Sequence, residues 1–112
     1  MTKVVFVKSK VTGFVSFETK GHSGYSEEGT DIVCSAVSSV TELVINLLDR
    51  FKVDFELDIR KDTAEVCCKI KQNSNNSEKS FVIANIVGGY AEYLNELSGV
   101  YPEFLKCTIS EK

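Results

Sequence analysis

The hydrophobic and polar positions along the chain divide it into seven segments. Lys3 to Lys8, with Val4, Val5, Phe6 and Val7, reads as a strand of β-branched and aromatic residues. A turn at Ser9 to Gly13 leads into a second strand, Gly13 to Lys20, antiparallel to the first because the connection is short. From Asp31 to about Phe51, apolar residues recur at helical spacing: Val33, Ala36, Val37, Val40, Leu43, Val44, Leu47, Leu48 and Phe51. That is the clearest helix signal in the chain. Val53 to Ile59 alternates, with Val53, Phe55, Leu57 and Ile59 inward, as a half-buried strand does. After a turn at Arg60-Lys61-Asp62, Thr63 to Ile70 returns with Ala64, Val66, Cys68 and Ile70 on the core face. Lys71 to Ser80 is polar and predicts a loop. A second helix follows at Ser80 to Ser98, with Ile83, Ile86, Val87, Tyr90, Leu94 and Leu97 as its stripe. Gly88 and Gly89 inside it predict a close contact or a bend, and Gly99 and Pro102 mark its end. Glu103 to Ile109 alternates as a last strand. The order β-β-α-β-β-α-β predicts an α+β fold, a two-layer arrangement with both helices on one face of a mainly antiparallel sheet.

Composition narrows the picture. One domain spanning 1–112 is expected from 112 residues, and a hydrophobic fraction of 43% supports one core. A net charge of −3 argues against a nucleic-acid-binding face. No uninterrupted run approaches the roughly 18 apolar residues of a membrane span, and the N-terminus is too strand-like for a secretory signal. The expectation is a cytoplasmic protein. Its four cysteines, Cys34, Cys67, Cys68 and Cys107, are then thiols. Their spacing, with one histidine, argues against a structural zinc site, and no cofactor is called for.

The candidate chemistry lies in residues 21 to 38. His22, the one histidine, opens a polar loop with Gly21, Ser23, Gly24 and Gly29. Asp31 is placed to cap the first helix, which puts Cys34 in its first turn, where the macrodipole favours a thiolate. Cysteines on amphipathic helices are more often core filler. The apolar stripe, however, spans roughly 140°, and Cys34 lies roughly 110° from its centre. Ser38 and Thr41 flank it as a small polar strip. Cys68 and Cys107 fit the core reading, and Cys67 does not matter to the site. The glycines give the loop backbone the freedom to bring His22 toward the helix start. Asp31 either caps the helix only or also orients His22, and Ser38 is one turn from the sulfur. The loop lacks the lysine of a phosphate cradle, and Glu27, Glu28 and Asp31 would repel phosphate. The residues leave open a Cys-His nucleophile pair, a non-catalytic binding module, and a Cys-dependent acyl hydrolase with a small substrate.

Gly21-His22, then Asp31-Ile32-Val33-Cys34 with Ala36 and Ser38, resembles the signature of the Prp (YsxB-like) family, the bacterial ribosomal-processing cysteine proteases. Tyr101-Pro102 before the last strand agrees with it, and Ser23 stands where the family often has alanine. The resemblance implies a cytosolic homodimer with His22 as base, Cys34 as nucleophile, and Asp31 and Ser38 in support. It implies a ribosomal protein precursor as partner: the N-terminal extension of large-subunit ribosomal protein 27, cut after an aromatic residue. Neither a nucleic acid nor a membrane is implied as a direct partner.

Overall fold

A computed structural model describes residues 1–21, 32–62, 64–72 and 76–112. The expectations for His22, Ser23, Gly24, Glu27, Glu28, Gly29 and Asp31 lie outside the described residues.

The elements follow the predicted order: β1 Thr2–Ser9, β2 Gly13–Lys20, α1 Ile32–Arg50, β3 Phe55–Arg60, β4 Glu65–Ile70, α2 Ser77–Val100 and β5 Leu105–Glu111. The strands form one sheet in the order β3-β4-β2-β1-β5. Its pairs are antiparallel except β1 with β5. The period-2 pattern sends Val4 and Phe6 of β1, Phe17 of β2 and Cys68 and Ile70 of β4 into one core with both helices, and Phe14 joins them because the β1–β2 register shifts between Val7 and Lys8. Tyr90 of α2 stands edge-on to two of these rings, 5.3 Å from Phe6 and 5.1 Å from Phe17. Such arrangements add about 0.5–1.5 kcal/mol to simple burial.

Helix ends explain two differences from the predicted boundaries. α1 stops in a Schellman arrangement: the Val53 amide donates to Leu48 O at 2.9 Å and the Lys52 amide to Asp49 O at 3.0 Å. Lys52 takes the left-handed conformation this requires, with φ 60°. α2 starts earlier than its apolar stripe, because Asn76 caps it by accepting from the Lys79 amide at 2.9 Å. The helix also runs through Gly99 and ends only at a bond from the Tyr101 amide to Leu97 O.

The buried set of α1 is Val33, Val37, Thr41, Val44 and Leu48. Two expectations change. Thr41, read as part of an accessible strip, is 3% exposed, whereas Leu43, read as core, is 56% exposed. A hydroxyl that finds hydrogen bonds enters a core as readily as a methyl group. The true stripe is therefore rotated toward Cys34, which lies about 60° from its centre, just beyond its edge, and is half-buried. Gly88 and Gly89 do not report close packing either. A Cβ at Gly88 would meet the Phe14 ring at 3.9 Å, and one at Gly89 would meet nothing within 4 Å. Leu57 and Ile59, expected in the core, are 39% and 52% exposed on the edge strand β3. Among the described residues α1 is also long and apolar enough, by length and mean composition, to cross a bilayer, although it holds no uninterrupted apolar run of that length. Serines, Thr41, Glu42 and Asn46 break its apolar run, and its stripe packs on the sheet and α2.

Candidate active site

β2 delivers the chain to the site through Gly21. This residue has φ +80°, and a Cβ there would come within 3.0 Å of the Met1 carbonyl oxygen. Only glycine combines that dihedral with that approach. The expectation that a glycine shapes the backbone here is met at Gly21, the residue that precedes His22.

On the other side of the site, Cys34 occupies the first turn of α1. Its thiol is half-buried and forms part of the wall of a cleft of about 430 Å³. Ser38, one turn further on, is exposed and lines the same cleft, as do Gly21 and Thr19 from the end of β2. The sequence-predicted residues Cys34, Ser38 and Gly21 are thus brought together. The rest of the lining was not foreseen. Thr2 of β1 closes one end, and Leu57, Ile59 and Val66 of β3 and β4 form the other. The alternation of β3 showed its apolar face, but only the strand order, which puts β3 at the sheet edge, turns Leu57 and Ile59 toward a cleft rather than the core.

Charge at the rim is mixed. Glu42 and Glu65 stand with Arg60 and Lys61 around the opening, and Arg60 lies 3.9 Å from Glu65 and 3.5 Å from Asp58. The rim by itself is not a field of one sign. Among the described residues no group of three histidine, cysteine or acidic side chains gathers to hold a metal.

The other thiols are held protonated by their surroundings. Burial pushes Cys68 up to about 12 and Cys107 up to about 11. Burial, then Glu18, raises Cys67 as well. A thiol that is desolvated in this way is a poor nucleophile. Cys34 differs from all three in position. It lies where the free N–H groups of a helix start point outward, and such groups stabilise an anion.

The cysteine protease Prp family model matches residues 1–106. No curated protein matches the chain. Among solved structures, SMU.848 from Streptococcus mutans is 26% identical with a TM-score of 0.80, covering 100% of this chain and 96% of its own. An essential ribosomal processing protease, Prp from S. aureus, is 18% identical with a TM-score of 0.81 in complex with a covalently linked product peptide, and this chain covers 100% of it. Its complex with a substrate peptide superposes with a TM-score of 0.79.

Proposed function

The chain belongs to the Prp family of cysteine proteases, and from that premise we propose that it removes the N-terminal extension of large-subunit ribosomal protein 27, with Cys34 as nucleophile and His22 as base. The observation that carries this reading is the position of Cys34. It is a half-buried thiol in a helix first turn, in the wall of a cleft that the residue before His22 also lines.

The chemistry is a two-step acyl transfer. His22 takes the proton of Cys34, and the helix terminus favours the resulting thiolate. The sulfur attacks the scissile carbonyl, whose oxygen becomes an anion. The amide N–H groups of the first turn of α1 are suited to hold it, and one such donor is worth about 3 kcal/mol. Protonated His22 gives its proton to the leaving amine, and the C–N bond breaks. Water then releases the acyl group from Cys34. Asp31 and Ser38 support the pair, Asp31 through the helix start and Ser38 through its place beside the sulfur in the cleft. The loop containing Ser23, Gly24 and Gly29 carries His22 and closes over the substrate. Leu57, Ile59 and Val66 offer an apolar seat for the aromatic residue before the cut.

The same reading carries a cytosolic homodimer acting on a peptide, without a cofactor and without nucleic acid or membrane as direct partner. Sedimentation at micromolar concentration tests the dimer: a single species at the monomer mass would remove that part.

The activity is tested by incubating the extended ribosomal protein with the wild type and with Cys34→Ala and His22→Ala, and by sequencing the new N-terminus. Both variants are expected to lose more than about a hundredfold. Equal cutting by Cys34→Ala would remove the nucleophile. A wild type that leaves the extended protein intact would favour a non-catalytic binding module.

A further inference from the structure

The floor of the cleft is a row of cross-strand neighbours. Ile59 pairs with Val66, Val66 with Thr19, and Thr19 with Val4. Thr2 lies two residues before Val4 on the same face of β1. The cleft lining therefore passes from apolar Ile59 and Val66 on β3 and β4 to the hydroxyls of Thr19 and Thr2 on β2 and β1, across three strand spacings or roughly 14 Å, while Val4 itself belongs to the core. That span accommodates about four residues of extended peptide.

Thr2 stands out at the hydroxylic end. It is 2% exposed and lines the cleft, yet among the described residues its Oγ1 has no hydrogen-bond partner. Its backbone is satisfied, with the amide donating to Phe104 O at 2.9 Å. The side chain alone is left over. Buried hydroxyls without partners are rare, because the group has given up water and received nothing in return. An extended peptide entering the cleft brings main-chain N–H and C=O groups with the same need.

We propose that Thr2 Oγ1 is a substrate-binding hydroxyl, which hydrogen-bonds a main-chain amide of the peptide seated in the cleft. The proposal rests on the reading of this cleft as the peptide site. Thr2 does not act on the reacting atoms. It holds the chain in register along the floor, so that the scissile carbonyl lies over Cys34. A main-chain contact of this kind is made equally in the bound substrate and in the transition state, so it acts on KM more than on kcat. It is also indifferent to which side chains the peptide carries.

The test uses Thr2→Val, which keeps the shape and removes the hydroxyl, and Thr2→Ser, which keeps the hydroxyl. Kinetics on the extended ribosomal peptide are measured with thermal unfolding of the free enzymes. Thr2→Val is expected to raise KM about tenfold, the size of one hydrogen bond, with kcat little changed. Its Tm is expected to equal or exceed that of the wild type, because an unpaired polar group has gone. Thr2→Ser should restore KM. A Thr2→Val enzyme with a lowered Tm and an unchanged KM would overturn the proposal, because the hydroxyl would then serve the empty fold. Peptide affinity is also measured on the Cys34→Ala background, where no turnover occurs. Tight binding there that Thr2→Val weakens about tenfold supports Thr2 even if the wild type fails to cleave, which would count against the activity alone. Binding that Thr2→Val leaves unchanged, or no binding at all, overturns it.

Discussion

The Thr41 hydroxyl lies 2.6 Å from the Tyr90 hydroxyl and 2.6 Å from the Val37 carbonyl oxygen. Thr41 has one proton, and it goes to Val37, so Tyr90 is the donor to Thr41. This bond ties α1, which carries Cys34, to α2 and through the Tyr90 ring to Phe6 and Phe17. Burial pushes the Tyr90 phenol well above its ordinary range, so it remains a donor at any working pH. Thr41→Val leaves a buried phenol unpaired and should cost about 1–3 kcal/mol in urea unfolding. Tyr90→Phe leaves Thr41 still bonded to Val37 and should cost less, about 1 kcal/mol. The double variant should cost less than the sum of the two.

Gly21 and Gly89 separate a glycine that the backbone needs from one that it does not. Gly21→Ala meets a φ of +80° and the Met1 oxygen at 3.0 Å, and should lose about 1–3 kcal/mol of stability. Gly89 lies in α2 with open space around it. Gly89→Ala should gain about 0.5–1 kcal/mol. Thermal unfolding of the two variants, with opposite shifts, checks both.

Leu57 and Ile59 are cleft residues and not core residues. Ile59→Ser, at a position 52% exposed, should cost less than about 1 kcal/mol in stability. It should still raise KM for a peptide with an aromatic residue before the cut, by about tenfold or more. Phe17→Ala, with Phe17 at 0% exposure, should instead cost about 3–5 kcal/mol. Paired unfolding and kinetic measurements distinguish the two kinds of apolar residue.

The fold was legible where burial alone decides the pattern. Both helices, the β1–β2 hairpin and the inward Cys68 and Ile70 of β4 follow from periodicity. What periodicity misjudged was set by partners that no local window contains. Thr41 is buried because Tyr90, 49 residues away, satisfies it. Leu57 and Ile59 are exposed because β3 is a sheet edge with α1 standing off from it, and strand order is not written in a strand's own alternation. α2 begins at Ser77 because of one side-chain cap at Asn76. At the site, the linear motif brought Gly21, Cys34 and Ser38 to one cleft. Thr2 carries no motif, and only the pairing of β1 with β2 brings it there.

Alkaline pH should weaken the fold through Cys68. Its ordinary value of 9.0 is pushed up to about 12 by burial. The unfolded chain therefore releases this proton near pH 9, while the folded chain holds it. The stability so contributed is fully present below pH 9 and is lost between about 9 and 12, at about 1.4 kcal/mol per pH unit. Urea unfolding from pH 8 to pH 11 should show at least that slope, because the raised Cys107, Cys67 and Tyr90 add losses of the same sign. Cys68→Val should flatten it by that amount, whatever its effect at pH 8.

The most direct measurement of the central claim is covalent capture. A peptide ending in phenylalanine, carrying an electrophilic carbonyl in place of the scissile bond, is incubated with the protein at pH 7, and the adduct is mapped by mass spectrometry. We expect one equivalent on Cys34, none on Cys67, Cys68 or Cys107, and at least about a hundredfold slower capture in His22→Ala. Capture spread over Cys67 and Cys34 at equal rates, or undiminished in His22→Ala, would contradict the assignment of Cys34 and His22 as nucleophile and base.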